Sequence, residues 1–112
     1  MNAIKNIETA TISSCEELQN IDSFHKYYLS SDIDCSETKN EEKGFVPIIA
    51  NQIELKGTQY VIKGLTINRP NQDNIGLFGK LANSFIYGII LQDVKISGRV
   101  SVGGLIGESN NC

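Results

Sequence analysis

The sequence predicts an all-β chain built as a stack of similar passes, a β-solenoid. Three observations carry that expectation. The 112 residues include sixteen isoleucines and no tryptophan, and the branched Cβ of isoleucine packs best on a pleated strand. Eleven asparagines and ten glycines break the apolar text into short strings, and both residue types tolerate the left-handed backbone of tight turns. The same glycine-bracketed apolar pair occurs twice, GLFG at 76–79 and GLIG at 104–107, with starts 28 positions apart.

The repeat extends upstream of the brackets. YVIKGLTIN (60–68) resembles FIYGIILQDVKIS (85–97), with Ile62, Leu65 and Ile67 matching Ile86, Ile89 and Leu91 at an offset of 24. Periods of roughly 20–50 residues indicate stacked units that bury their apolar sides against one another. In such a stack Leu77, Phe78, Leu105 and Ile106 contribute to the interior. Gly76, Gly79, Gly104 and Gly107 then let the backbone turn at positive φ or approach the neighbouring unit closely.

The other elements follow in order. Ser14 to Glu17 fits a capping box, and Cys15, Leu18, Ile21 and Phe24 recur every three residues, which predicts a short amphipathic helix over 14–25. KYYLSSDIDC then alternates, with Tyr27, Leu29, Ser31, Ile33 and Cys35 on one face of a strand and Tyr28, Ser30, Asp32 and Asp34 on the other. SETKNEEKG (36–44) reads as a solvent loop. From Phe45 onward apolar strings alternate with turn residues, and Pro70 marks one turn.

Composition excludes several functions. The net charge is −3 and the ten basic residues are scattered, so there is no footprint for nucleic acid. No apolar run approaches the roughly 20 residues that span a bilayer. MNAIKNIETATISS lacks a continuous apolar region, so no signal peptide is visible. The expectation is a cytoplasmic chain, or a piece of a longer protein whose targeting signal lies elsewhere.

Candidate chemistry is sparse. Cys15 and Cys35 both fall on interior faces, which fits either a disulfide or two buried thiols, and Cys112 is incidental to the chain end. The cysteines and His25 show no CxxC or HxxxH spacing, so neither a metal nor a cofactor is expected. His25 fits a helix C-terminus better than a catalytic role. Asp32 and Asp34 lie about 6–7 Å apart on one strand face, a separation loosely like that of glycosidase carboxylates, although solvent-facing strand residues are the plainer reading. Tyr27, Tyr28, Tyr60 and Tyr87 offer stacking surfaces for a carbohydrate, Tyr28 foremost, which makes Tyr28, Asp32 and Asp34 the candidate ligand contacts. Lys56, Lys63, Asp93 and Lys95 are unclustered along the chain.

NIGLFGKL and VGGLIGES resemble the GLUG motif, a Gly-Leu-apolar-Gly repeat of bacterial surface and secreted β-helix proteins. SCEELQNI, Tyr27 to Cys35, Phe45 to Ile48 and IKGLTI (62–67) resemble the elements that precede the motif in that family, so the likeness covers roughly residues 12–110. The turn at Lys56-Gly57-Thr58-Gln59 has one glycine fewer than the family usually carries. The resemblance implies a right-handed parallel β-helix of three to four coils in a single domain over 1–112. A cap helix would occupy 11–26 and coils 27–112, with the whole expected to be a fragment of a longer chain. It further implies a non-catalytic, adhesin-like segment at the cell surface or outside the cell, with a host-surface protein or glycan as partner. The alternatives are a stand-alone or remnant solenoid that self-associates through its open C-terminal end, and the N-terminal part of a polysaccharide-active β-helix enzyme.

Overall fold

A computed structural model describes residues 9–112 of the chain; residues 1–8, where part of the segment inspected for a signal peptide falls, lie outside the described residues. The elements are β1 (Thr9–Ile12), α1 (Cys15–Gln19), β2 (Lys26–Leu29), β3 (Ile33–Asp34), a 3-10 helix (Ser36–Asn40), β4 (Ile48–Asn51), β5 (Glu54–Lys56), β6 (Val61–Lys63), β7 (Thr66–Asn68), β8 (Phe78–Ala82), β9 (Phe85–Tyr87), β10 (Ile90–Gln92), β11 (Lys95–Ser97) and β12 (Ile106–Asn110). Among the described residues the fold is all-β apart from the two short helices.

Strand neighbours in space are distant in sequence. Four sheets form, in the orders β1-β2-β5-β9, β3-β6-β10, β7-β11 and β4-β8-β12, and every pairing between these strands is parallel. Lys26 lies beside Glu54, 28 residues on, and Glu54 beside Phe85, 31 residues on. Thr66 pairs with Lys95 at a separation of 29, and Phe78 with Ile106 at 28. The two glycine brackets thus lie side by side and run in the same direction.

Parallel register places like beside like. Leu55, Ile62, Ile67 and Phe78 are fully buried, and their partners in the following pass are Ile86, Leu91, Ile96 and Ile106. One corner is an asparagine column. Gln52, Asn83 and Asn111 take left-handed backbone (φ 55, 51 and 61). The Asn83 amide donates to Asn51 Oδ1 at 3.2 Å, and the Asn111 amide to Asn83 Oδ1 at 2.8 Å. Asn51, Asn83 and Asn111, three of the eleven asparagines, thus belong to a turn that recurs and bonds to its own copy.

The structure corrects four expectations, of which the first is the single strand over Tyr27 to Cys35: it is two, β2 and β3, in different sheets. The upstream repeat matches at 29 rather than 24, because Ile62 pairs with Leu91 and Ile67 lies beside Ile96. Apolar residues here recur every five positions (62, 67 and 86, 91, 96), so a slip of five leaves the apolar pattern unchanged. The helix spans only Cys15–Gln19 rather than 14–25, and β1 precedes it and pairs with β2. It stops because tertiary bonds take over. Asp22 N–H donates to the Tyr27 hydroxyl at 2.9 Å, and Phe24, at φ 65, donates its N–H to the Asn51 carbonyl at 3.1 Å. Phe24 is consequently exposed instead of lying on the apolar stripe.

Residues 36–44, expected to be solvent loop, instead cover an edge of β7. Buried Thr38 donates to the Cys35 carbonyl at 2.6 Å and accepts the Thr66 N–H at 2.9 Å. Phe45 N–H donates to the Thr66 carbonyl, and Asn68 N–H to the Lys43 carbonyl. The loop's polarity conceals a structural duty: an uncovered strand edge leaves backbone groups unbonded.

Candidate functional site

Three of the four bracket glycines are required by space. A Cβ on Gly76 would lie 2.8 Å from the Gly103 carbonyl oxygen and 3.0 Å from Gly107 N, both in the following pass. On Gly79 it would meet Asn74 O at 2.6 Å, and on Gly107 it would meet Asn74 C and Ile75 N at 2.7 Å. Close approach, not positive φ, is the reason: the glycines with positive φ are Gly44, Gly64 and Gly88. Gly104 differs, since a Cβ there would touch only Leu91 Cδ1 at 3.7 Å. Leu77 and Phe78 are fully buried, whereas Leu105 and Ile106 are only partly covered. The brackets are therefore scaffold.

Cys15, at the start of α1, and Cys35, just after β3, form a disulfide with a Cα–Cα distance of 5.2 Å. Ser14 caps α1 by accepting the Glu17 N–H at 3.1 Å, and Glu17 Oε1 accepts the Ser13 N–H at 2.8 Å and the Ser13 hydroxyl at 2.9 Å. The Ser13 backbone bond is the main reason that the Glu17 carboxyl titrates below its ordinary range. Cys112 is a free, exposed thiol.

The candidate ligand contacts fall on different faces. Tyr28 is exposed on β2, where the outward row runs Tyr28, Lys56 and Tyr87 across neighbouring strands. Lys56 Nζ stands 5.6 Å from the centre of the Tyr87 ring, within reach of a cation–π contact. Tyr27 instead packs partly against the core, with its ring centre 5.8 Å from that of His25. Asp32 Oδ1 accepts the Val61 N–H at 2.9 Å. Asp34, on β3, accepts the Ser36 N–H at 2.9 Å. Its bonds to Ser36 hold its carboxyl below the usual range, aided by Lys63 and Lys39. Asp32 and Asp34 thus brace backbone.

What sequence reasoning missed is a gathering of charge. Lys63, Asp93 and Lys95, scattered along the chain, line one groove with Asp34 and Lys39. Pass length is the missing signal: with a period of 29, Asp34 falls beside Lys63, and Lys95 beside Thr66. Among the described residues, no three or more His, Cys, Asp or Glu side chains gather closely enough to hold a metal ion. No helix among the described residues is long and apolar enough to cross a membrane.

Halomucin of Haloquadratum walsbyi is 37% identical to this chain over 107 residues, an alignment covering 87% of the chain. The chain spans about 1% of that protein's length. No protein-family model matches the chain, and no solved structure matches it. The likeness to GLUG-motif proteins therefore rests on the residues themselves.

Proposed function

We propose that this chain is a non-catalytic β-solenoid segment of a cell-surface protein, a right-handed parallel β-helix of GLUG type that binds through side chains outside its coils. The observation that carries the reading is the parallel pairing of the two glycine brackets, Phe78 beside Ile106. Separations of 28 to 31 between paired strands fit one coil per repeat. The similarity to a short stretch of halomucin supports placement within a much longer surface protein. Asp34 accepts the Ser36 N–H at 2.9 Å and Asp32 the Val61 N–H at 2.9 Å, which fits bracing of the backbone rather than catalysis by this pair.

The test is a glycan array and a host-cell binding assay with the folded, oxidised chain. Reproducible retention in either supports the binding role, and silence in both counts against it. A second reading, self-association, is favoured by one observation: β9 to β12 each pair on one side only, while Ile86, Leu91, Ile96 and Ile106 in the last pass are only partly covered. Light scattering across a concentration series separates the two, because a monomer at every concentration excludes self-association.

A further inference from the structure

The charged groove lies at a corner where two sheets meet. Asp34 and Lys63 end β3 and β6 on one wall, and Lys95 opens β11 on the other. Gly64 (φ 75) and Asp93 (φ 54) turn the chain between them. Gly64 has no room for a side chain, since a Cβ would sit 2.9 Å from Ser36 Cα, and this keeps the corner open. Lys39 reaches the groove from the 3-10 helix.

Each successive pass thus brings one ammonium group to the same groove: Lys39 from the first, Lys63 from the next and Lys95 from the last. They are not register partners: Lys63 lies beside Asp34 and Gln92 on one wall, and Lys95 beside Thr66 on the other. None of the three forms an ion pair among the described residues, where the only one is Arg99 with Asp73. Lys39 and Lys63 help to hold Asp34 ionised, and with Lys95 the three cations outnumber the two carboxylates of the corner, so it favours anions. Because the three cations come from three different segments on both walls, the arrangement suits an extended anion.

We propose that this groove binds an acidic polysaccharide, its carboxylates on Lys39, Lys63 and Lys95 and its hydroxyls donating to Asp34 and Asp93. Two observations choose this ligand over a nucleic acid. No aromatic side chain lines the groove, so there is no platform for bases. Asp34 and Asp93 offer acceptors for sugar hydroxyls, which a polysaccharide carries on every residue. The inference deepens the proposed binding role by naming its ligand class and place, and it rests on that role.

The experiment is calorimetric titration of the full oxidised chain with polygalacturonate, and with dextran as a neutral counterpart. Binding to polygalacturonate that weakens as salt is raised is expected, and none to dextran. The K63A/K95A variant should bind about tenfold more weakly. Lys26→Ala, on a different sheet, should bind as the parent does. Circular dichroism on each variant checks that it is folded; both altered lysines are exposed, so folding should survive. Equal weakening by Lys26→Ala, or no effect of K63A/K95A, overturns the groove assignment. If polygalacturonate fails to bind while the array retains another glycan, the acidic-polysaccharide assignment falls and the binding role stands. Silence everywhere sinks both.

Discussion

At the N-terminal end the rows of apolar side chains are closed over, and at the C-terminal end comparable rows run out towards solvent. Leu29, Ile33 and Leu55, near the first end, are all buried. Ile86, Leu91 and Ile106, near the second, are partly covered. The first end recruits every kind of cover. Helix α1 is pinned by the Cys15–Cys35 disulfide. Ser23 and Phe24 bond to Asn51 at the end of β4. Residues 38–45 satisfy β7. Among the described residues β9 to β12 have no such cover. The contrast teaches that apolar text alone does not make a core: a row is buried only where something lies on both sides of it.

The largest expected effect tests that statement within one row. Phe78→Ala should cost about 3–5 kcal/mol, because it empties a fully buried site. Ile106→Ala, its register partner in the last pass, should cost less than half of that. Urea denaturation of both variants makes the measurement, and equal losses would mean that the last pass is as well covered as the middle.

Removing the disulfide as C15S/C35S should cost about 3 kcal/mol, since the bridge closes a loop of 20 residues. Hydrogen exchange should rise in α1 and the 3-10 helix while β10 and β11 keep their protection. Uniform acceleration throughout would show that the two ends do not behave separately.

Substituting the glycines sharpens the contrast further. Gly76→Ala should lose about 1–3 kcal/mol, because its new methyl meets backbone on the next pass. Gly104→Ala, with only the end of the Leu91 side chain in ordinary contact, should be close to neutral in thermal unfolding. A large loss at Gly104 would mean that this face is covered after all.

The smallest effect is acid sensitivity of the closed end. Glu17 and Asp34 both titrate below their ordinary values, Glu17 through Ser13 and Asp34 through Ser36. A lowered folded value means that their stabilisation is present above the unfolded value and is lost as pH falls through the folded one. Local opening of α1 should therefore grow below the ordinary carboxylate range, and E17Q/D34N should blunt that growth. Exchange measured at several acid pH values decides it; an unchanged response in the double variant would remove these carboxylates from the account.

Much of the fold was legible because short-range chemistry specifies it. The Ser14 cap and the alternation of Leu29, Ile33 and Cys35 with Ser30, Asp32 and Asp34 reflect local geometry, and the bracket glycines were legible because their pattern recurs, although contact with another pass is their reason. The pass length was not legible in the 60–97 text, where apolar residues five apart make offsets of 24 and 29 look alike. The helix end was not legible either, because the bond from Phe24 to Asn51 on β4, together with that from Asp22 to the Tyr27 hydroxyl, decides it. The charged groove stayed hidden for the same reason: Lys39, Lys63 and Lys95 become neighbours only when the register is known.

The sequence by itself determined that this chain forms short strands between left-handed corners, and that two of its segments need glycine where backbone meets backbone. Branched side chains and turn formers act within a few residues of themselves, and the glycine requirement shows in the text because it recurs, although Gly76 and Gly107 meet the backbone of another pass. Only the tertiary structure decided which strand lies beside which, where the core is closed, and that charges about 30 residues apart share one groove. Those outcomes depend on the length of each pass, which is the sum of all its corners and strands.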